Sequence, residues 1–139
     1  MLVNSRDVEI EWGDCDAAGI VFYPRYFAMF DGSTGYLLEK ALGMKKIAWT
    51  KHFGIVGIPM VDTGAKFIIP SRYGDVIRIE SQATDIRRSS FDIQHRVYKG
   101  DALAIEAHET RVWAGKDPAN PERIKGYPIP DEVIAGLRG

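Results

Sequence analysis

The 139-residue sequence holds a single cysteine, Cys15, and so no internal disulfide. One cysteine also excludes a cysteine-framework fold and a zinc site built from several thiolates. His52, His95 and His108 show no metal-ligand spacing, and no H-x-E or C-x-x-C pattern occurs, so no metal is expected. No apolar run approaches the roughly 20 residues that a spanning helix needs. Met1–Arg6 lacks the apolar core of a secretory signal. A cytoplasmic protein without a membrane partner is the expectation. Net charge is −1 and neither half is strongly basic, which argues against nucleic acid as a partner. Repeats, low-complexity tracts and linkers are absent too, so residues 1–139 are expected to form one domain.

What is present is a well-punctuated pattern. Asp7 to Trp12 alternates, with Val8, Ile10 and Trp12 on one face, as in a half-buried strand. Pro24 to Leu42 has helical periodicity through Phe27, Phe30, Leu37, Leu38, Ala41 and Leu42, and Gly43 is placed to cap it. Gly32 and Gly35 interrupt this helix, which predicts close approach of the sheet to that face. Met44 to Phe53 reads as a second short helix.

After Pro59 the period becomes two. Val61, Thr63, Ala65, Phe67 and Ile69 share one face of a strand. Val76–Ile86 follows with Ile77, Ile79 and Ala83 inward, then Phe91–Tyr98 with Phe91, Ile93 and Val97 inward. His95 falls on the same inward phase and reads as a core histidine. Ala102–Trp113 is a last strand whose alternation blurs at Ala107 and His108, which suggests a bulge or two buried faces. Gly115–Pro130 carries four of the seven prolines and reads as loop, before a short terminal helix capped by Asp131. The expected fold is α+β, with a four-strand antiparallel meander after the helix and a sheet curved round it.

The stretch Gly13-Asp14-Cys15-Asp16-Ala17-Ala18-Gly19-Ile20-Val21-Phe22-Tyr23-Pro24 joins the first strand to the long helix. Proline is favoured at a first helical position, so a helix start is expected at Pro24. Helix starts offer free N–H groups and a partial positive charge. An aspartate here most simply serves the turn, and Asp14 is read that way. Asp16 brings a carboxylate towards the free donors, an arrangement suited to attack on a carbonyl. Cys15 has no histidine near it in sequence and reads as a buried, inert thiol.

The element order and the motif Gly-Asp-x-Asp-x-x-Gly-Ile-Val-x-Tyr-Pro-x-Tyr, here Gly13 to Tyr26, resemble the hot-dog-fold acyl-CoA thioesterases, and most nearly the 4-hydroxybenzoyl-CoA thioesterase type. Gly54-Ile55-Val56-Gly57 with Pro59, and Arg87-Arg88 before Ser90-Phe91, add to the resemblance. It implies a five-stranded antiparallel sheet wrapped around one long central helix. It further implies hydrolysis of an aromatic acyl-CoA, with Asp16 as catalytic carboxylate and the Tyr23 backbone N–H polarising the thioester carbonyl.

Trp49, Ile58, Pro59, Met60, Arg87, Arg88 and Ser89 become candidate substrate contacts, and the two arginines would hold coenzyme A phosphates. Tyr26 and Phe27 join Tyr23 as candidate aromatic walls. Coenzyme A is part of the substrate, and no separate cofactor is implied. The site would lie between subunits of a homotetramer, a dimer of dimers. The sequence departs from the resembled pattern in three places. Pro24 replaces the histidine of short-chain relatives, Ser89 stands where a third basic residue is common, and Ile58 stands where a hydroxyl-bearing residue can occur. A short-chain aliphatic thioesterase and a non-enzymatic acyl-CoA-binding module are the alternatives. A dehydratase on this fold would want an Asp–His pair, which the motif lacks.

Overall fold

The computed structural model describes all 139 residues. Strand β1 (Val3–Glu9) leads through a single 3-10 turn (Trp12–Asp14) and a hairpin into helix α1 (Tyr23–Leu42). Helix α2 (Lys46–Phe53) follows, then strands β2 (Met60–Phe67), β3 (Val76–Ile86), β4 (Ser90–Lys99) and β5 (Ala102–Val112). A small hairpin, β6 (Ala114–Asp117) and β7 (Asn120–Gly126), precedes helix α3 (Asp131–Arg138). The main sheet has five antiparallel strands in the order β1-β3-β4-β5-β2, and α1 lies across one face. This is the expected hot-dog arrangement.

The alternation in β3 and β4 is realised as read. Ile77, Ile79, Ala83, Phe91, Ile93 and Val97 are all buried. Helix α1 ends where Gly43 takes a left-handed φ of 66°, which glycine adopts without the steric cost of a Cβ.

Several expectations change. The sheet is not a meander of four strands, because β2 pairs with β5 and forms an edge. β1 starts earlier than expected, and Trp12 leaves its face to lie 77% exposed, edge-on to Tyr73 at 5.6 Å between ring centroids. Helix α1 begins at Tyr23, so Pro24 is its second residue. Val61 and Phe67, on the apolar side of β2, stay exposed in this chain. Gly35 meets open space, and Gly32 is approached only by the Arg6 guanidinium, so the sheet does not close on these glycines. The irregularity of β5 falls near Leu103–Ile105, where the register against β4 shifts, and not at Ala107–His108. Residues 114–126 form the β6–β7 hairpin rather than a loop. All of β7 is exposed, so it carries no apolar alternation to read. Asp131 opens α3 but does not cap it; the capping position is Pro130, with no side-chain bond.

The core has two apolar clusters. One gathers Leu37, Leu38, Trp49, Trp113, Val133 and Leu137 with Ala83 and Ile93. The other gathers Tyr26, Phe30, Ile77, Ile79, Val97 and Ile105. Between them runs a buried polar seam. Thr34 lies between Phe30 and Leu37 on α1, Ser81 between Ile79 and Ala83 on β3, and His95 between Ile93 and Val97 on β4. Glu109 and Arg111 continue the seam on β5. His95 is the core histidine anticipated from its phase, satisfied by Ser81 Oγ at 2.7 Å and Thr34 Oγ1 at 3.3 Å.

Candidate active site

The hairpin before α1 is built by backbone hydrogen bonds. The Asp16 N–H donates to the Ile20 carbonyl at 3.0 Å, and the Gly19 N–H returns to the Asp16 carbonyl at 2.9 Å. Gly19 has a φ of 80°, which lets the chain reverse there. Cys15 and Val21 pair across the hairpin, and the Phe22 N–H donates to the Asp14 carbonyl at 2.8 Å. Asp14 does serve the turn, because its carboxylate accepts the Glu11 N–H at 2.8 Å. Cys15 is half-buried against the apolar cluster.

Asp16 is exposed, and its Oδ1 accepts the Ala18 N–H at 2.9 Å. That bond fixes the carboxylate and leaves Oδ2 free. Tyr23 is the first residue of α1, so its N–H has no acceptor four residues back, and it makes no other backbone bond. Pro24 has no N–H, and the Arg25 N–H turns back to the Phe22 carbonyl. The Tyr23 N–H is therefore the open donor at the positive end of a 20-residue helix. Beside it lies an apolar cavity of about 270 Å³, lined by Ile20, Val21, Tyr23, Tyr26 and Phe67 among others. Tyr26 is buried, and burial pushes its phenol pKa up.

The remaining candidates gather at the opposite end of the sheet. The Val112 N–H donates to the Pro59 carbonyl at 3.1 Å, and the Trp113 N–H to the Ser89 carbonyl at 2.8 Å. Ile58, Pro59, Met60, Arg87, Arg88 and Ser89 thus surround the end of β5. Phe67, at the far end of β2, packs on Tyr23 with 6.5 Å between ring centroids. The eight residues of β2 separate the two groups, about 24 Å at the usual strand rise. A single chain does not bring Asp16 and Tyr23 together with the other candidates.

Within the second group the residues differ. Arg87 is held by Asp85 at 2.7 Å and by both oxygens of Asp92 at 2.7 and 3.0 Å. These hydrogen bonds, Asp92 first, raise its pKa further. Arg88 is exposed and has no carboxylate partner. Met60 is exposed and Pro59 half-buried. Trp49 and Ile58 are core residues of this chain, with Trp49 stacked on Trp113 at 5.8 Å.

The seam was invisible as a unit in the sequence. Burial alone would raise the Glu109 pKa, but hydrogen bonds with His95 and Arg111 outweigh it and leave it below the ordinary glutamate value. Arg111 grips both oxygens of Glu109, at 3.2 and 3.1 Å, and reaches Asp31 Oδ1 at 2.8 Å and the Ile58 carbonyl at 3.0 Å. The sequence signals are the inward phase of His95 and the blurred alternation of β5, whose inward phase carries Glu109 and Arg111.

Residues 10–137 match the family model of the thioesterase-like superfamily. The chain belongs to that superfamily. It is 37% identical, over 90% of both chains, to a 4-hydroxybenzoyl-CoA thioesterase from Pseudomonas sp. strain CBS-3. A solved 4-hydroxybenzoyl-CoA thioesterase, an Asp-to-Asn mutant complexed with 4-hydroxybenzoyl-CoA, superposes with a TM-score of 0.87 at 32% identity, covering 97% of this chain and 98% of that one. A gentisyl-coenzyme A thioesterase superposes with a TM-score of 0.81 at 26% identity, covering 98% and 100%. The similarity makes this chain a thioester hydrolase. No helix is long and apolar enough to cross a membrane.

Proposed function

We propose that this acyl-CoA thioesterase hydrolyses an aromatic acyl-CoA of the 4-hydroxybenzoyl type, releasing the free acid and coenzyme A. The observation that carries this reading is the unpaired Tyr23 N–H at the head of α1, beside the hairpin that presents Asp16. The relatives named for their substrates act on ring-bearing acyl-CoAs, 4-hydroxybenzoyl and gentisyl among them. The apolar cavity beside Tyr23 suits such a group.

In the proposed reaction the thioester carbonyl oxygen accepts the Tyr23 N–H. That donor stabilises the negative charge that develops on the oxygen; losing one such donor costs about 10²–10³ in rate. Asp16 attacks the carbonyl carbon, the C–S bond breaks, and coenzyme A leaves as thiolate. Water then attacks the mixed anhydride and frees both carboxylates. Direct attack by the carboxylate splits one difficult step into two easier ones through the covalent intermediate.

The site is proposed to be completed by a second copy of the chain. The outer edge of β2 is unpaired, and such an edge invites pairing. Antiparallel pairing of two β2 strands sets the Phe67 end of one against the Met60 end of the other. That brings Asp16 and Tyr23 of one copy towards Pro59, Met60 and the arginine turn of its partner. Trp49 and Ile58 then act from the core, backing the loop that carries Pro59 and Met60. Arg88 is the better placed of the two arginines to hold a phosphate, since Arg87 is engaged by Asp85 and Asp92. A thiol-release assay over aromatic and aliphatic acyl-CoAs tests the reading. A preference for aliphatic chains would favour the short-chain alternative, and no turnover at all the binding module.

A further inference from the structure

Arg111 is 4% exposed, yet it carries a charge through the middle of the fold. Burying a charge is costly unless it is paired and hydrogen-bonded. Here all three guanidinium nitrogens donate hydrogen bonds. One edge takes Glu109, one arm takes Asp31 on α1, and the other takes the Ile58 carbonyl in the loop before β2. Glu109 is in turn held by the Thr34 hydroxyl and by His95. Stability alone does not call for such a device, because an apolar pair at these positions is often as stable. What an apolar pair cannot do is fix the Ile58 carbonyl relative to α1. A planar fork with five donors can.

We infer that Arg111 is a positioning residue that clamps the Ile58–Met60 loop to α1, and so sets the geometry of the acyl-binding part of the site. The inference rests on the shared site proposed above, in which this loop of one copy meets the Tyr23 cavity of the other and there contacts the acyl group. A clamp of this kind acts on acyl placement and not on the nucleotide, which is bound at the arginine turn.

Two variants separate this role from plain stability. Arg111→Lys keeps the charge but loses the fork. Glu109→Gln with Arg111→Met removes both buried charges and leaves none unpaired. In each folded variant the KM for an aromatic acyl-CoA should rise at least about tenfold, since a released loop no longer holds the acyl group and lost ground-state contact appears in KM. The inhibition constant of free coenzyme A should stay within about threefold of the parent. In the double variant, thermal stability should recover relative to Arg111→Met alone while the KM defect remains. A parental acyl-CoA KM in either variant, or recovery of KM together with stability, would overturn the clamp.

Met60→Ala distinguishes the underlying reading. If it leaves acyl-CoA KM unchanged while Arg111→Lys raises it, the loop is not an acyl contact and the clamp falls with that reading. The unaltered enzyme gives a readout that does not depend on variant folding. In ¹⁵N spectra the Arg111 side-chain N–H signals should shift on adding a non-hydrolysable aromatic acyl-CoA thioether and not on adding coenzyme A. Unmoved signals with the thioether bound would refute the inference.

Discussion

Phe22 donates its backbone N–H to the Asp14 carbonyl at 2.8 Å, and the next N–H along the chain, that of Tyr23, finds no acceptor. The hairpin thus ends its own bonding one residue before the helix can begin its own. Asp16, presented on the same hairpin, is held through Oδ1 by the Ala18 N–H. A donor and a carboxylate are fixed by the same few backbone bonds.

The first prediction concerns assembly. A β2 edge without a partner, and exposed Val61 and Phe67 on that strand, should be covered by a second copy. Solution scattering at micromolar concentration should give the mass of a dimer or tetramer. A monomeric mass with full activity would contradict the shared site.

The second concerns the arginine turn. Arg88→Ala should raise KM more than it lowers kcat, because nucleotide contacts give uniform binding far from the reacting carbon. The defect should shrink with a pantetheine thioester, which lacks the nucleotide phosphates. Arg87→Ala should affect KM less, since Asp85 and Asp92 already occupy that guanidinium. Steady-state kinetics on both substrates decides it.

The third concerns acid. The Asp92 carboxyl lies below its usual range chiefly through hydrogen bonds from Arg87, and Asp75 does so through the Arg72 N–H and then Lys99. A depressed folded-state pKa contributes stability above the unfolded value, which is lost as pH falls through the folded one. Stability in urea should therefore decline below about pH 4, the unperturbed aspartate range. Asp92→Asn should flatten that decline. An unchanged acid limb in this variant would show that the Arg87–Asp92 pair contributes nothing.

Much of this fold was legible because its central strands bury one face only. Ile77, Ile79, Phe91, Ile93 and Val97 alternate with polar residues, and the phase read from them is the phase observed. The Asp16 hairpin and the helix start beside it are legible because turn and helix-start chemistry is local, whereas the Tyr23 donor is implied only by the family resemblance. Other features depend on contacts that sequence does not display. Gly32 and Gly35 predict close approach of the sheet, but Gly35 meets open space and Gly32 faces only the Arg6 guanidinium. The β6–β7 hairpin escaped notice because backbone pairing, not side-chain burial, defines it. The polar seam escaped because Thr34, Ser81, His95, Glu109 and Arg111 come from four elements, and only the fold puts them in one layer.

In the proposed reaction the Asp16 carboxylate does the chemistry. Asp16→Asn keeps the size of the side chain and an oxygen to accept the Ala18 N–H, so folding should survive by circular dichroism. Asp16→Glu keeps the charge and moves the oxygens by one methylene, so a severe loss there marks direct attack and partial rescue marks a base acting through water. The decisive measurement is kcat of folded Asp16→Asn on an aromatic acyl-CoA. A fall of at least about 10²-fold is expected, with substrate binding retained. Turnover near that of the parent would contradict it and leave the acyl-CoA-binding module as the better reading of the site.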